Sequence, residues 1–333
     1  MSRFKLKEIE AVSMYDQNAR SRLEEKIGYE LWLLDFLSKT QETFEGGSNI
    51  STITLRSGKP GAQVGIHITE VVGSEPAMKV MNAMMPLTFT ASYKILDMVF
   101  EWILEVNKKA GNVQEIPWKF KEKIKLISSA RLAYPPLLES EPYIRDYLFA
   151  LYSNLLKFRN EIVHSNRFLV SNGKLRVDTF ENEVVYSIEL DRGELGALVR
   201  TVVAAVNLLG GVLSFGERED RLLKYHLDRI KKLHGLTEFG QKKPVLVDAI
   251  LEVPEEKGSF LVDVKFVRNQ ISRIHPNVDV LFSLRVTGLV NDKPSVCWLF
   301  PVGSIPKDDV FELRRGDCKE YQTQPSSLTS DVP

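Results

Sequence analysis

The chain has 333 residues, of which 44% are apolar and 26% charged, and its 44 Lys plus Arg are matched by 44 Asp plus Glu. That length exceeds one typical core, so two or three domains are expected. The zero formal charge excludes a global basic field that would draw the protein to nucleic acid, and any such binding must come from a local patch. Two cysteines, Cys297 and Cys318, are too few for a disulfide-stapled secreted fold and fit a reducing cytosol.

The N-terminal stretch MSRFKLKEIEAVSMYDQNAR is charged throughout and lacks the apolar run of a signal peptide. Residues 8–44 read as a helix, with Ile27, Leu31, Leu34 and Leu37 in a 3- and 4-residue rhythm ending at Gly46-Gly47. ISTITL (50–55), a turn through SGKPG and AQVGIHITEVV (62–72) form a short β insertion. The helical pattern returns to residue 109, where Tyr93, Leu96, Val99, Phe100, Ile103 and Leu104 make one apolar stripe and Pro86 marks a break. Residues 108–125 hold six lysines against two glutamates, with Trp118 and Phe120 interleaved. That composition suits single-stranded RNA, but Phe120, Ile124 and Ile127 also form a buried stripe whose solvated face the lysines supply, which is the simpler reading.

A long helix is expected over 141–164, turning Tyr147, Leu148, Leu151, Leu155, Phe158 and Ile162 inward. A hairpin follows, FLVSNGKLRVDTF with its Asn172-Gly173 turn, then VVYSIEL. The helices 192–214 and 217–234 complete a helical body. Residues 195–215 approach the length of a membrane span, yet Arg200 and Asn207 interrupt them, and an arginine at mid-span costs ~2.5–3.5 kcal/mol. The reading is a buried core or interface helix in a cytoplasmic protein with no membrane partner. After a linker at 240–244, strand-like runs separated by turns suggest an antiparallel β domain over 243–315, and the polar residues 316–333 suggest a disordered tail. The fold class expected is α+β: a mainly α-helical bundle with a β insertion and hairpin, followed by a C-terminal antiparallel β domain.

The chemistry concentrates at KFRNEIVHSN, residues 157–166, near the end of the long helix. Asn160 and His164 are four apart and share a helix face, whereas Arg159 is about 140° round from His164 at 3.6 residues per turn. RNA can be cut without a metal when its 2′-hydroxyl attacks the adjacent phosphate. His164 suits the proton transfer, because an imidazole titrates near ~6.5. Arg159 offers a fork of donors for phosphate oxygens, and Asn160 can orient the histidine or the phosphate. Lys157, Asn166 and Arg167 flank the cluster as candidate RNA-binding residues. One cluster has a single histidine, so paired acid and base roles want a second copy, as a twofold homodimer supplies. The plainer alternative is that Arg159 and His164 only complement the helix dipole.

Arg159-Asn160-Glu161-Ile162-Val163-His164 resembles the Arg-x4–6-His signature of the HEPN superfamily, helical-bundle proteins of toxin–antitoxin, abortive-infection and CRISPR systems. The resemblance covers residues 76–239 and leaves 1–75, the hairpin and the β domain unexplained. It implies a metal-independent endoribonuclease in a defence or toxin role, with RNA as substrate, no cofactor, a homodimeric state and an antitoxin or companion protein. Arg159, Asn160 and His164 would be catalytic. Because some members of the family have lost activity, a non-catalytic dimerising or partner-binding module is the second reading.

A third reading is a Mg²⁺-dependent nuclease through Asp248 and Asp263-Val264-Lys265, a D…D-x-K pattern. Phe260, Val262, Val264 and Phe266 alternate with Leu261, Asp263 and Lys265, which reads as an ordinary strand with a solvated outer face and no flanking helix. His67, His226, His234 and His275 have no ligand-spaced partners, so no metal site is expected.

Overall fold

The computed structural model describes residues 14–45, 51–57, 62–66, 75–181 and 183–323. Expectations for residues 1–13, the turn at 58–61, His67, the strand end to 72 and the final ten residues lie outside these. The protein is α+β, and it divides into two units, each with its own core.

The first unit is helical. Helix α1 (Gln17–Glu45) starts at Asp16, whose carboxylate accepts from the Ala19 amide at 2.8 Å, and buries Leu23, Ile27 and Leu34. Helix α2 (Glu75–Lys109) runs through Pro86 without stopping. The proline was expected to break the helix; burial of Met85 and Phe89 on either side of it holds the helix together. Short helices α3 (Phe120–Ser129) and α4 (Pro136–Ser140) lead to α5 (Pro142–Asn160). Its inward residues Leu148, Leu151, Tyr152 and Leu155 meet Tyr93, Phe100 and Trp102 in the core. Full burial of each large apolar side chain contributes about 1.5–3 kcal/mol.

A three-stranded antiparallel sheet follows, ordered β3 (Phe168–Ser171), β4 (Lys174–Glu181), β5 (Val184–Asp191). Asn172 and Gly173 make the tight turn with φ of 51° and 71°, the left-handed values that an Asn-Gly pair adopts at least cost. Helix α6 (Arg192–Gly210) opens with a capping box in which Asp191 and Glu194 satisfy each other's backbone amides. It ends at Gly211 in the left-handed region, φ 80°. By length and composition α6 could cross a membrane, yet it packs against α1 and α2, with Leu195, Leu198, Val202 and Leu209 spent on the core. Helices α7 (Glu217–Arg229) and α8 (Lys231–His234) add Leu223, Leu227 and Leu233 to that core.

The second unit corrects three expectations. Its sheet is mixed, not antiparallel: β6 (Val245–Glu256) is parallel to β8 (Val280–Val290) on one side and to β1 (Ser51–Arg56) on the other. So the N-terminal β insertion belongs to this sheet, with Ile53 and Leu55 in its core, and is not part of a separate 1–75 domain. Strand β2 (Ala62–Ile66) pairs with β1.

Second, β7 (Ser259–Asp263) is followed by helix α9 (Val264–Ile274), where the sequence read as continuous strand. A parallel return from β6 to β8 requires a crossover, and α9 supplies it. Val264, Val267 and Ile271 lay its apolar stripe on the sheet core. Third, residues 316–323 are structured: the Trp298 indole donates to the Asp317 carbonyl at 2.9 Å, and β11 (Gln322–Thr323) pairs with β9 (Lys293–Phe300). At the β8–β9 bulge a Cβ on Gly288 would lie 2.6 Å from the Phe260 ring, so no side chain fits there. Strand β10 (Val310–Arg314) closes the far edge against β7.

Candidate active site

Helix α5 does not simply stop at Asn160. Residues Glu161–Ser165 form a π turn, and Asn166 leaves it in the left-handed conformation, φ 50° and ψ 35°, its amide bonding back to the Glu161 carbonyl. In a π turn residue i meets i+5, and such turns occur frequently at functional sites. The long Arg159 side chain reaches His164, five residues on: its Nη1 lies 3.0 Å from His164 Nε2.

Arginine has only donors, so in this contact Nε2 accepts and the proton of a neutral His164 sits on Nδ1. The same Nη1 donates to Asn160 Oδ1 at 3.1 Å, so Asn160 orients the arginine. His164 is exposed and Arg159 and Asn160 are half-buried, while Ile162 alone of the turn points into the core.

Beneath Arg159 lies an aromatic support. The guanidinium sits over the Phe120 ring at 5.0 Å, and that ring packs edge-on against buried Tyr93 at 5.7 Å. Burial drives the Tyr93 hydroxyl well above its usual range, the Asp97 carboxylate adds to this, and Arg159 pulls the other way. Helix α3, which carries Phe120, is fastened by Lys123, whose ammonium is buried against Asp97 at 3.0 Å. Tyr152 of α5 donates to the same Asp97 carboxylate at 2.6 Å. One buried anion thus ties together α2, α3 and α5, the elements on which the Arg159 side chain depends.

The flanking cations take defined positions. Lys157 lies over the Tyr186 ring at 3.7 Å, and Arg167 over Phe180 at 5.6 Å with Glu161 3.8 Å from its guanidinium. Glu161 in turn accepts from Thr179 on β4 at 3.3 Å, so the π turn and the hairpin are joined. Asn166 is exposed, and its place is set by the left-handed turn. Phe120, Tyr186, Phe180 and Thr179 are the neighbours that reading along the chain did not assign to the motif. The interleaved Trp118-Lys119-Phe120 was the available signal.

The residues of the metal-nuclease pattern are engaged locally. Asp263 is the N-cap of α9, accepting from the Phe266 amide at 2.7 Å, and Asp248 accepts from Ser283 across the β6–β8 ladder at 2.5 Å. Among the described residues no three His, Cys, Asp or Glu side chains converge as a metal-ligand group. A recess lined by Leu37, Met81, Met85, Thr88, Arg192 and Leu195 lies among α1, α2 and α6 and contains none of the motif's residues. No protein-family model, curated protein or solved structure matches this chain.

Proposed function

We propose that the protein is a HEPN-like, metal-independent endoribonuclease acting as a homodimer. The observation that carries this reading is the 3.0 Å contact between Arg159 and His164 on an exposed π turn, which brings a guanidinium and an imidazole together. In the reaction, a substrate phosphate replaces His164 as the partner of Arg159. The freed Nε2 then takes the proton of the ribose 2′-hydroxyl, the O2′–P bond forms and the P–O5′ bond breaks. The leaving 5′-oxygen needs a proton from an acid, and the His164 of a second copy is the group of matching chemistry. The products are a 2′,3′-cyclic phosphate and a free 5′-hydroxyl.

The homodimer has its own support. The end of the β4–β5 hairpin presents Phe180, Val184, Val185 and Tyr186 to solvent, and it is joined to the motif through Glu161 and Lys157. An exposed apolar cluster of this kind marks an interaction surface. The occupant we assign is a second copy, which would bring two motifs near one another. The biological setting implied by the resemblance, a defence or toxin role held in check by a companion protein, is part of the proposal.

The test incubates wild-type and His164→Ala protein with cellular RNA in EDTA. Wild-type protein should leave 2′,3′-cyclic phosphate ends, and the folded variant should cut roughly 10²- to 10⁴-fold more slowly. A folded His164→Ala protein that cuts as fast as wild type, or wild-type cutting abolished by EDTA, overturns the assignment.

A further inference from the structure

We infer that Trp118 is a nucleobase-stacking residue that holds the RNA strand beside Arg159. This rests on the ribonuclease reading and adds to it a substrate contact in helix α3's approach segment, outside the Arg-x4-His cluster.

Three observations converge on Trp118. Its side chain is 82% exposed, the most exposed large apolar residue among those described. An indole left this open forfeits most of the stabilisation it would gain by burial, which makes it available to a ligand. Its position relative to the motif is fixed. It lies two residues before Phe120, so the two Cα atoms are at most about 7 Å apart. Phe120 is itself held between the Arg159 guanidinium at 5.0 Å and the Tyr93 ring at 5.7 Å.

The segment leading to Trp118 is anchored too. Val113 is buried, and the Asn112 amide bonds to the carbonyl of Asn107, a residue with no exposed surface. The segment is thus anchored on one side at Asn112 and Val113 and on the other at Phe120.

The surroundings select the ligand. Lys119 lies 5.5 Å from the indole centroid and is ion-paired with Glu122 at 3.3 Å, while Lys121 and Lys125 are exposed on the following helix; the acids of the segment are Glu115 and Glu122. An exposed aromatic among cations, next to a phosphate-binding arginine, matches a strand whose backbone is negative and whose bases present π-faces.

The test titrates full-length protein with a short oligoribonucleotide made uncleavable by 2′-deoxy substitution. Indole fluorescence of wild type and His164→Ala should be quenched alike. In Trp118→Phe the quench should vanish, which separates Trp118 from exposed Trp32, while affinity stays within about threefold because a phenyl ring still stacks. Trp118→Ala should bind roughly 5- to 150-fold more weakly and raise KM for cleavage while leaving kcat intact.

Cleavage and binding by Trp118→Ala indistinguishable from wild type would overturn this inference and leave the nuclease reading standing. Absence of both RNA binding and cleavage in folded wild-type protein would overturn the two together. A Trp118→Ala change that alters self-association, with RNA affinity unmoved, would assign the indole to protein contact and likewise overturn the inference.

Discussion

Arg159 and His164 share one hydrogen bond, at the ring nitrogen that takes the substrate proton in the proposed reaction. In that proposal, a phosphate that draws Arg159 away frees the base. A second histidine shows what a structural imidazole looks like here. His234 is buried, its Nε2 faces the Leu227 carbonyl at 3.0 Å, and its Nδ1 accepts from the Leu236 amide at 3.0 Å. Protonation would remove that acceptor, and burial holds its pKa below the ordinary 6.5. Because the unfolded chain binds the proton more readily, stability should be full above about pH 6.5 and fall as pH drops below it. Urea midpoints measured from pH 7.5 to 5.5 should decline for wild type. His234→Gln should start lower and decline less; an unchanged slope would assign the loss to another group.

At the scale of elements, hydrogen-bond geometry decided what periodicity could not. From Phe260 to Ile271 the sequence carries two overlaid patterns: alternation at 260, 262, 264 and 266, and a helical stripe at 264, 267 and 271. Asp263 resolves them, since a carboxylate at an N-cap satisfies amides that a strand would have paired with a neighbour. Replacing Asp263 with Ala should cost about 0.5–2 kcal/mol of stability, read from urea unfolding of the second unit through buried Trp298 fluorescence. RNA cleavage should be unchanged; its loss would return the Asp248–Asp263 pair to consideration. The π turn is the parallel case in the first unit. The five-residue spacing of Arg159 and His164 was plain in the sequence, but the contact between their side chains at the π turn was not.

For the molecule as a whole, the two-core organisation has a consequence for the site. The motif, its aromatic support and the exposed hairpin all belong to the helical unit, which has one His164 per chain. If the hairpin end joins two copies, Val185→Glu should convert dimer to monomer in light scattering and reduce RNA cleavage severalfold or more, because a charge at an apolar interface centre is left unpaired. Monomeric wild-type protein with full activity would rule out the composite site. The second unit takes strands β1 and β2 from residues 51–66, the short stretch 216–222, and the rest of its sheet from beyond residue 242, so three separate segments of the chain build it.

The sequence by itself determined the long helices, the Asn172-Gly173 hairpin, the inward-facing residues of Pro142–Asn160 and the identity of the chemically distinctive cluster. These are local matters, set by periodicity, turn chemistry and side-chain type. Tertiary structure alone decided that residues 51–56 lie parallel to 247–252, that Pro86 stays inside a helix, and that Phe120 and Tyr93 lie beneath Arg159. Each of these depends on partners far apart in the chain. A strand's neighbour, a proline's tolerance and an arginine's orientation are fixed by what packs against them, and no single stretch of sequence contains that information.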